Sequence, residues 1–225
     1  MSFVRQKLQG SPEYARVAPF AVYAALTPLQ GEFGPDSVYW FYIVKTFIAA
    51  WMVWEVWPLV QEMRWKISWE AVVIGVAIFA IWIGLDGYYP RLSKLGEGTN
   101  PFKEFGDGSP TAWFYIVVHI TGMTLVVPPV EEVFYRSLVY RYLVKVKFLE
   151  MPLGQFHGLS FVVTSVIFGV MHPQWWVAGI ICGLAYQWLV VRKNRLGEAM
   201  TAHAITNFML GVWIVWRGGE AWTFW

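Results

Sequence analysis

The chain of 225 residues is 57% hydrophobic and only 14% charged, carries 15 tryptophans, and has a formal net charge of +2. That balance excludes an ordinary soluble domain of this length and places the chain in a membrane. With so small a charge and no Lys/Arg-rich block it also excludes a nucleic-acid-binding surface, and the one cysteine, Cys182, lies in an apolar segment and has no partner for an internal disulfide.

A spanning helix needs about 20 mostly apolar residues. In chain order seven segments qualify: 17–30, 38–60, 70–85, 111–128, 156–172, 175–191 and 199–216. The first is interrupted by Pro19 and Pro28, and residues 129–147 read either as a further helix or as a continuation of the fourth segment past a kink at Pro128 and Pro129. The expected fold is an all-α, polytopic integral membrane helical bundle with six to eight transmembrane helices, in one domain over residues 1–225. Arg5 and Lys7 precede the first apolar stretch, but no small-residue cleavage site follows, so the N-terminus reads as an anchor rather than a signal peptide.

Orientation follows from the Lys/Arg content of alternate connections. One set holds eleven: Arg5, Lys7, Arg16, Arg64, Lys66, Arg141, Lys145, Lys147, Arg192, Lys193 and Arg195. The other holds four: Arg91, Lys94, Lys103 and Arg217. The N-terminus is therefore expected in the cytoplasm. Aromatic clusters such as "VYWFY", "DGYYP" and "PQWW" sit near segment ends, as interfacial belts do, and the Gly/Pro-rich stretch from Asp86 to Pro110 reads as an irregular outer loop.

Three apolar segments carry polar groups. In "VVPPVEEVFYRSLVY", Glu132 and Arg136 lie four apart and share a helix face, while Glu131 points about 100° away. Glu131 is then the unpaired carboxylate, and a carboxylate in a partly solvated cleft can take a proton from water as a general base; the structural alternative is an ion pair at a helix start after Pro128 and Pro129. In "FVVTSVIFGVMHPQWW", Phe168 and His172 are four apart at the end of an apolar run. In "EAMTAHAITNFML", His203 and Asn207 are four apart on one stripe of the last span, as catalytic groups or as helix-to-helix glue. Together these segments supply a carboxylate, two imidazoles, an amide and a guanidinium, which suffices for water activation with oxyanion stabilisation and needs no serine or cysteine nucleophile. Of the remaining polar residues in apolar surroundings, His119 reads as a buried helix contact, His157 as interfacial, Lys45 as close enough to the outer end of its segment to snorkel, and Glu55 as lying near the inner end of the same segment.

The ordered set "EEVFYR", "FGVMH" and "HAITN" resembles the EExxxR, FxxxH and HxxxN signature of the CPBP family, the CAAX proteases and bacteriocin-processing (Abi) enzymes. The resemblance covers about residues 111–216, and the aromatic N-terminal half is similar to the exosortase-associated branch of CAAX-protease-related proteins. Two departures are "YRS" where many bacterial members have Phe-Arg-Gly, and Pro173 directly after the second-motif histidine. The resemblance implies an intramembrane endopeptidase of type II CAAX prenyl protease type. Glu131 and His172 would activate water, His203 and Asn207 would stabilise the oxyanion, and Glu132 with Arg136 would hold the helix in register. It implies a peptide or membrane-protein substrate in the lipid bilayer. A divalent metal such as zinc on Glu131, His172 and His203 also matches a catalytic ligand set, although the absence of an HExxH pair favours a mechanism without a cofactor. Two rivals use the same residues: a transporter, which predicts an inverted repeat that the sequence does not display, and a non-catalytic membrane scaffold or immunity protein.

Overall fold

In the computed structural model, which describes residues 2–34, 36–96 and 98–225, each of the seven apolar segments is helical and no strand occurs among the described residues. In chain order the helices are α1 (Phe3–Gln9), α2 (Pro12–Leu26), α3 (Ser37–Val56), α4 (Trp69–Gly84), α5 (Pro101–Phe105), α6 (Pro110–Tyr142), α7 (Gly158–Val170), α8 (Trp176–Lys193) and α9 (Gly197–Arg217). Several starts are written into the sequence as a polar residue followed by proline. Ser11, Asn100 and Ser109 accept backbone N–H bonds with their side chains, and Pro12, Pro101 and Pro110 fill the first helical position, where no N–H is needed. Helices α3, α6 and α9, with 20, 33 and 21 residues, are each long and apolar enough to cross a membrane, and α4 and α7 are shorter apolar helices. The protein is a helical membrane bundle.

Residues 129–147 do not begin a separate helix; α6 runs through both prolines. Pro128 and Pro129 have no N–H to give to the preceding turn. The turn Gly122–Val126 widens instead to π geometry, with the Val127 N–H bonded to the carbonyl of Gly122. A second π segment, Val133–Val139, closes with the Tyr140 N–H on the carbonyl of Tyr135. Such bulges shift the register of the helix faces beyond them.

The chain divides into two compact units. One gathers the described residues of Met1–Leu59, Leu95–Val130 and Asn207–Trp225. Its core is aromatic: Tyr39, Tyr42 and Tyr115 are buried together with Phe105 and Trp225 packed against them. His119 stacks between Tyr42 (ring centroids 3.9 Å apart) and Trp225 (4.1 Å), and its Nδ1 lies 3.0 Å from the Tyr115 hydroxyl, so it is the buried helix contact expected of it. Lys45 does not snorkel. It is 3% exposed, donates to Gln30 Oε1 at 3.0 Å, and lies over the Tyr23 ring at 4.7 Å, because local acceptors and a ring face meet the ammonium where it stands. Glu55 is held by α1: Ser2 Oγ donates to its carboxylate at 2.5 Å and Arg5 Nε lies 3.2 Å from Oε2.

The other unit comprises Val60–Lys94 and Glu131–Thr206. Here α7 and α8 pack antiparallel with glycines at the contact. A Cβ on Gly183 would fall 2.9 Å from Ser165 Cα, and one on Gly179 2.9 Å from Gly169 Cα. A Cβ on Gly169 would lie 2.4 Å from Ile180 Cγ1 and 2.6 Å from the Trp176 carbonyl oxygen, and a carbonyl cannot yield. Gly169→Ala is therefore expected to destabilise the protein by about 1–3 kcal/mol through forced separation of the two helices, read as a lowered unfolding temperature in detergent. Thr206 ties α9 to α4 by donating to the Gly75 carbonyl at 2.8 Å, and Tyr186 of α8 donates to Thr206 Oγ1 at 2.7 Å. His157 accepts the Ser160 N–H at 3.3 Å as the cap of α7.

Candidate active site

The site begins where α6 leaves its proline pair. Glu131 and Glu132 are adjacent and take different surroundings, as the 100° step between neighbouring helix positions requires. Glu132 is fully buried, with Arg136 Nε 3.2 Å from its Oε2, so the expected pair forms. Arg136 is itself completely buried, its guanidinium carbon 4.5 Å from the centre of the Phe168 ring, and its Nη1 and Nη2 make no hydrogen bond among the described residues. One carboxylate and two ring faces, those of Phe168 and, at 5.6 Å, Tyr135, thus compensate the charge.

His203 comes from α9, at a point where Thr206, one turn on, fixes the helix by its two bonds. The Nδ1 of His203 lies 3.0 Å from Glu132 Oε1. A carboxylate oxygen accepts, so Nδ1 carries the proton and Nε2 presents its lone pair. That Nε2 is 4.0 Å from Glu131 Oε2, an oxygen that is buried and makes no hydrogen bond among the described residues. Glu132 thereby joins Arg136 and His203, and His203 bridges the two glutamates.

His172 sits just past the end of α7. Its backbone N–H bonds to the carbonyl of Gly169 at 2.9 Å, and its Nδ1 lies 2.9 Å from the carbonyl of Phe168, which again assigns the proton to Nδ1. Phe168 is the common neighbour of the site: its ring lies 4.9 Å from that of His172, 6.2 Å from that of His203 and 5.2 Å from that of Tyr135. The structure therefore brings Glu131, Glu132, Arg136 and His203 into one connected group, with His172 joined to it through Phe168. It is His203 that faces Glu131. Asn207, one turn beyond His203 in α9, donates from Nδ2 to the Met123 carbonyl at 2.7 Å.

Sequence reasoning missed Trp82, whose ring meets the His172 ring edge-on at 5.5 Å, and Asp86, which accepts the Trp175 indole N–H at 3.1 Å. The only signal for either was an aromatic and acidic cluster at a segment end. A catalytic zinc takes three protein ligands, and among the described residues no three His, Cys, Asp or Glu side chains gather as a metal-binding group.

Residues 111–209 match the model of the family described as type II CAAX prenyl endopeptidase, Rce1-like. The match takes in all three motifs and leaves the N-terminal half outside. No curated protein and no solved structure matches the chain.

Proposed function

We propose that this protein, which over residues 111–209 belongs to the Rce1-like family of type II CAAX prenyl endopeptidases, is a membrane-embedded endopeptidase that hydrolyses a peptide bond with a water activated by Glu131 and His203. The observation that carries the mechanism is the facing pair of acceptors, Glu131 Oε2 and His203 Nε2, 4.0 Å apart. One water oxygen reaches both with hydrogen bonds of about 2.8 Å. As that oxygen attacks the substrate carbonyl, Glu131 takes its proton and later delivers it to the leaving amine nitrogen as the C–N bond breaks. Glu132 fixes the tautomer of His203, and Arg136 holds Glu132, so both position the reacting groups without touching the substrate.

We assign to His172, whose Nε2 carries the free lone pair and so accepts a peptide N–H, the alignment of the substrate from the side of Phe168. Asn207 has one N–H engaged with Met123 and a second to offer an oxyanion. The substrate is a peptide or membrane protein whose scissile bond reaches the bilayer interface, in a bacterial inner membrane with the N-terminus of the chain in the cytoplasm.

The test is cleavage of a quenched-fluorescent peptide library by the purified protein in nanodiscs, with Glu131→Gln as the paired variant and with and without a chelator. Cleavage that survives chelation and disappears in the variant supports the reading. Equal cleavage by both proteins overturns Glu131 as the base. Activity that is lost on chelation and restored by zinc overturns the metal-free step.

A further inference from the structure

The connection that follows α4, residues 85–94, lies outside the family match, yet it is hydrogen-bonded to the turn that carries His172. The Leu92 N–H donates to the Pro173 carbonyl at 2.8 Å, and the Trp176 indole N–H donates to the Pro90 carbonyl at 2.9 Å. Earlier in the same loop, Asp86 Oδ1 accepts the Trp175 indole N–H at 3.1 Å and the Arg91 guanidinium at 2.7 Å. Trp175 in turn gives its backbone N–H to the His172 carbonyl at 2.8 Å, which closes the turn on the histidine. Trp82, at the far end of α4, meets the His172 ring edge-on.

The histidine thus has its ring set by the Phe168 carbonyl and Trp82, and its backbone set by a turn whose next residues are tied to the loop. The turn itself contains Pro173, which has no N–H to donate, so a helix ladder cannot hold it.

We infer that Asp86 and Trp175 are positioning residues for His172: their hydrogen bond clamps the 172–176 turn and so sets where the His172 imidazole lies during the reaction. The inference rests on the proposed peptidase reading for its catalytic consequence, and on the structure alone for the clamp. Misplacement of a reacting group by about 1 Å lowers a rate by roughly 100-fold, and substrate binding need not change with it. Loss of the clamp therefore acts on kcat rather than KM.

The experiment compares wild type with Asp86→Ala, Asp86→Asn, Trp175→Phe and the Asp86→Ala/Trp175→Phe double variant in nanodiscs, with His172→Ala as reference. Trp175→Phe puts a smaller aromatic ring in place of the indole and removes its N–H while leaving Asp86 intact, so it remains informative even where Asp86→Ala fails to fold. The expected result is a fall in kcat of roughly 10- to 100-fold in Asp86→Ala and Trp175→Phe, with KM within about twofold, and a double variant no worse than either single one. Asp86→Asn keeps an oxygen acceptor for the indole and is expected to recover most of the loss.

Hydrogen exchange supplies a readout independent of activity: amides of residues 172–176 exchange faster in Trp175→Phe, while α7 and α8 peptides keep wild-type protection. An unchanged kcat in Trp175→Phe beside an inactive His172→Ala overturns the clamp and leaves the peptidase reading standing. Wild-type exchange at residues 172–176 in Trp175→Phe overturns the clamp whatever the activity. Full activity in His172→Ala overturns the role given to that histidine and the inference with it.

Discussion

Glu131→Gln is expected to lower kcat by about 100- to 10,000-fold, the range over which a positioned general base contributes, with the unfolding temperature of the purified protein essentially unchanged. The two halves of that expectation come from the same observation. Among the described residues Glu131 Oε2 is buried and makes no hydrogen bond, so no partner seen there is lost when an amide replaces the carboxylate. The amide cannot take a proton from water, so the chemistry is lost. The adjacent position behaves differently. Glu132→Gln weakens both the pair with Arg136 and the bond from His203 Nδ1, and it is expected to lower activity and stability together. Cleavage assays paired with thermal unfolding of the two variants separate the carboxylate that reacts from the one that holds.

The long helices were legible because they are apolar runs bounded by prolines, glycines or capping serines, and hydrocarbon demands uninterrupted backbone bonding inside such runs, whereas α1 and α5, the latter inside the stretch read as an irregular loop, have no such run. The pair of Glu132 with Arg136 was legible for the same local reason, being four residues apart on one helix. What the chain order conceals is which histidine meets which glutamate. His203 lies 71 positions after Glu132, and the π turns in α6 rotate the faces that ideal helix geometry would present. His203 Nε2 comes within 4.0 Å of Glu131 Oε2, and the helix that carries it is tied to α4 by Thr206, a residue that no motif marks. Lys45 was misread in a similar way: distance along a helix predicts snorkelling, whereas Gln30 and Tyr23, brought back by the chain, satisfy the ammonium inside. The loop from Asp86 to Lys94 shows the same limit, since contacts between a loop and a distant turn leave no periodic trace in either segment.

Arg136→Ala is expected to destabilise the protein by about 3–5 kcal/mol, the range for removing one partner of a buried ion pair, read as a large drop in unfolding temperature or in the yield of folded protein. The side chain is completely buried, and Glu132 beneath it is equally buried, so truncation leaves a carboxylate that, among the described residues, has the His203 N–H alone to compensate it. The guanidinium also covers the Phe168 ring at 4.5 Å, and its removal opens a cavity against the residue that touches both histidines. Arg136→Lys restores the charge but not the planar group that stacks on the ring, and it is expected to recover only part of the stability. Combining Arg136→Met with Glu132→Gln removes both charges at once and should be less destabilised than Arg136→Ala, because a buried polar pair is most costly when half of it remains. The double variant is nevertheless expected to stay inactive, since a neutral amide no longer holds His203 as the carboxylate does. Stability recovered without activity would place Glu132 and Arg136 as supports of the imidazole rather than as packing alone.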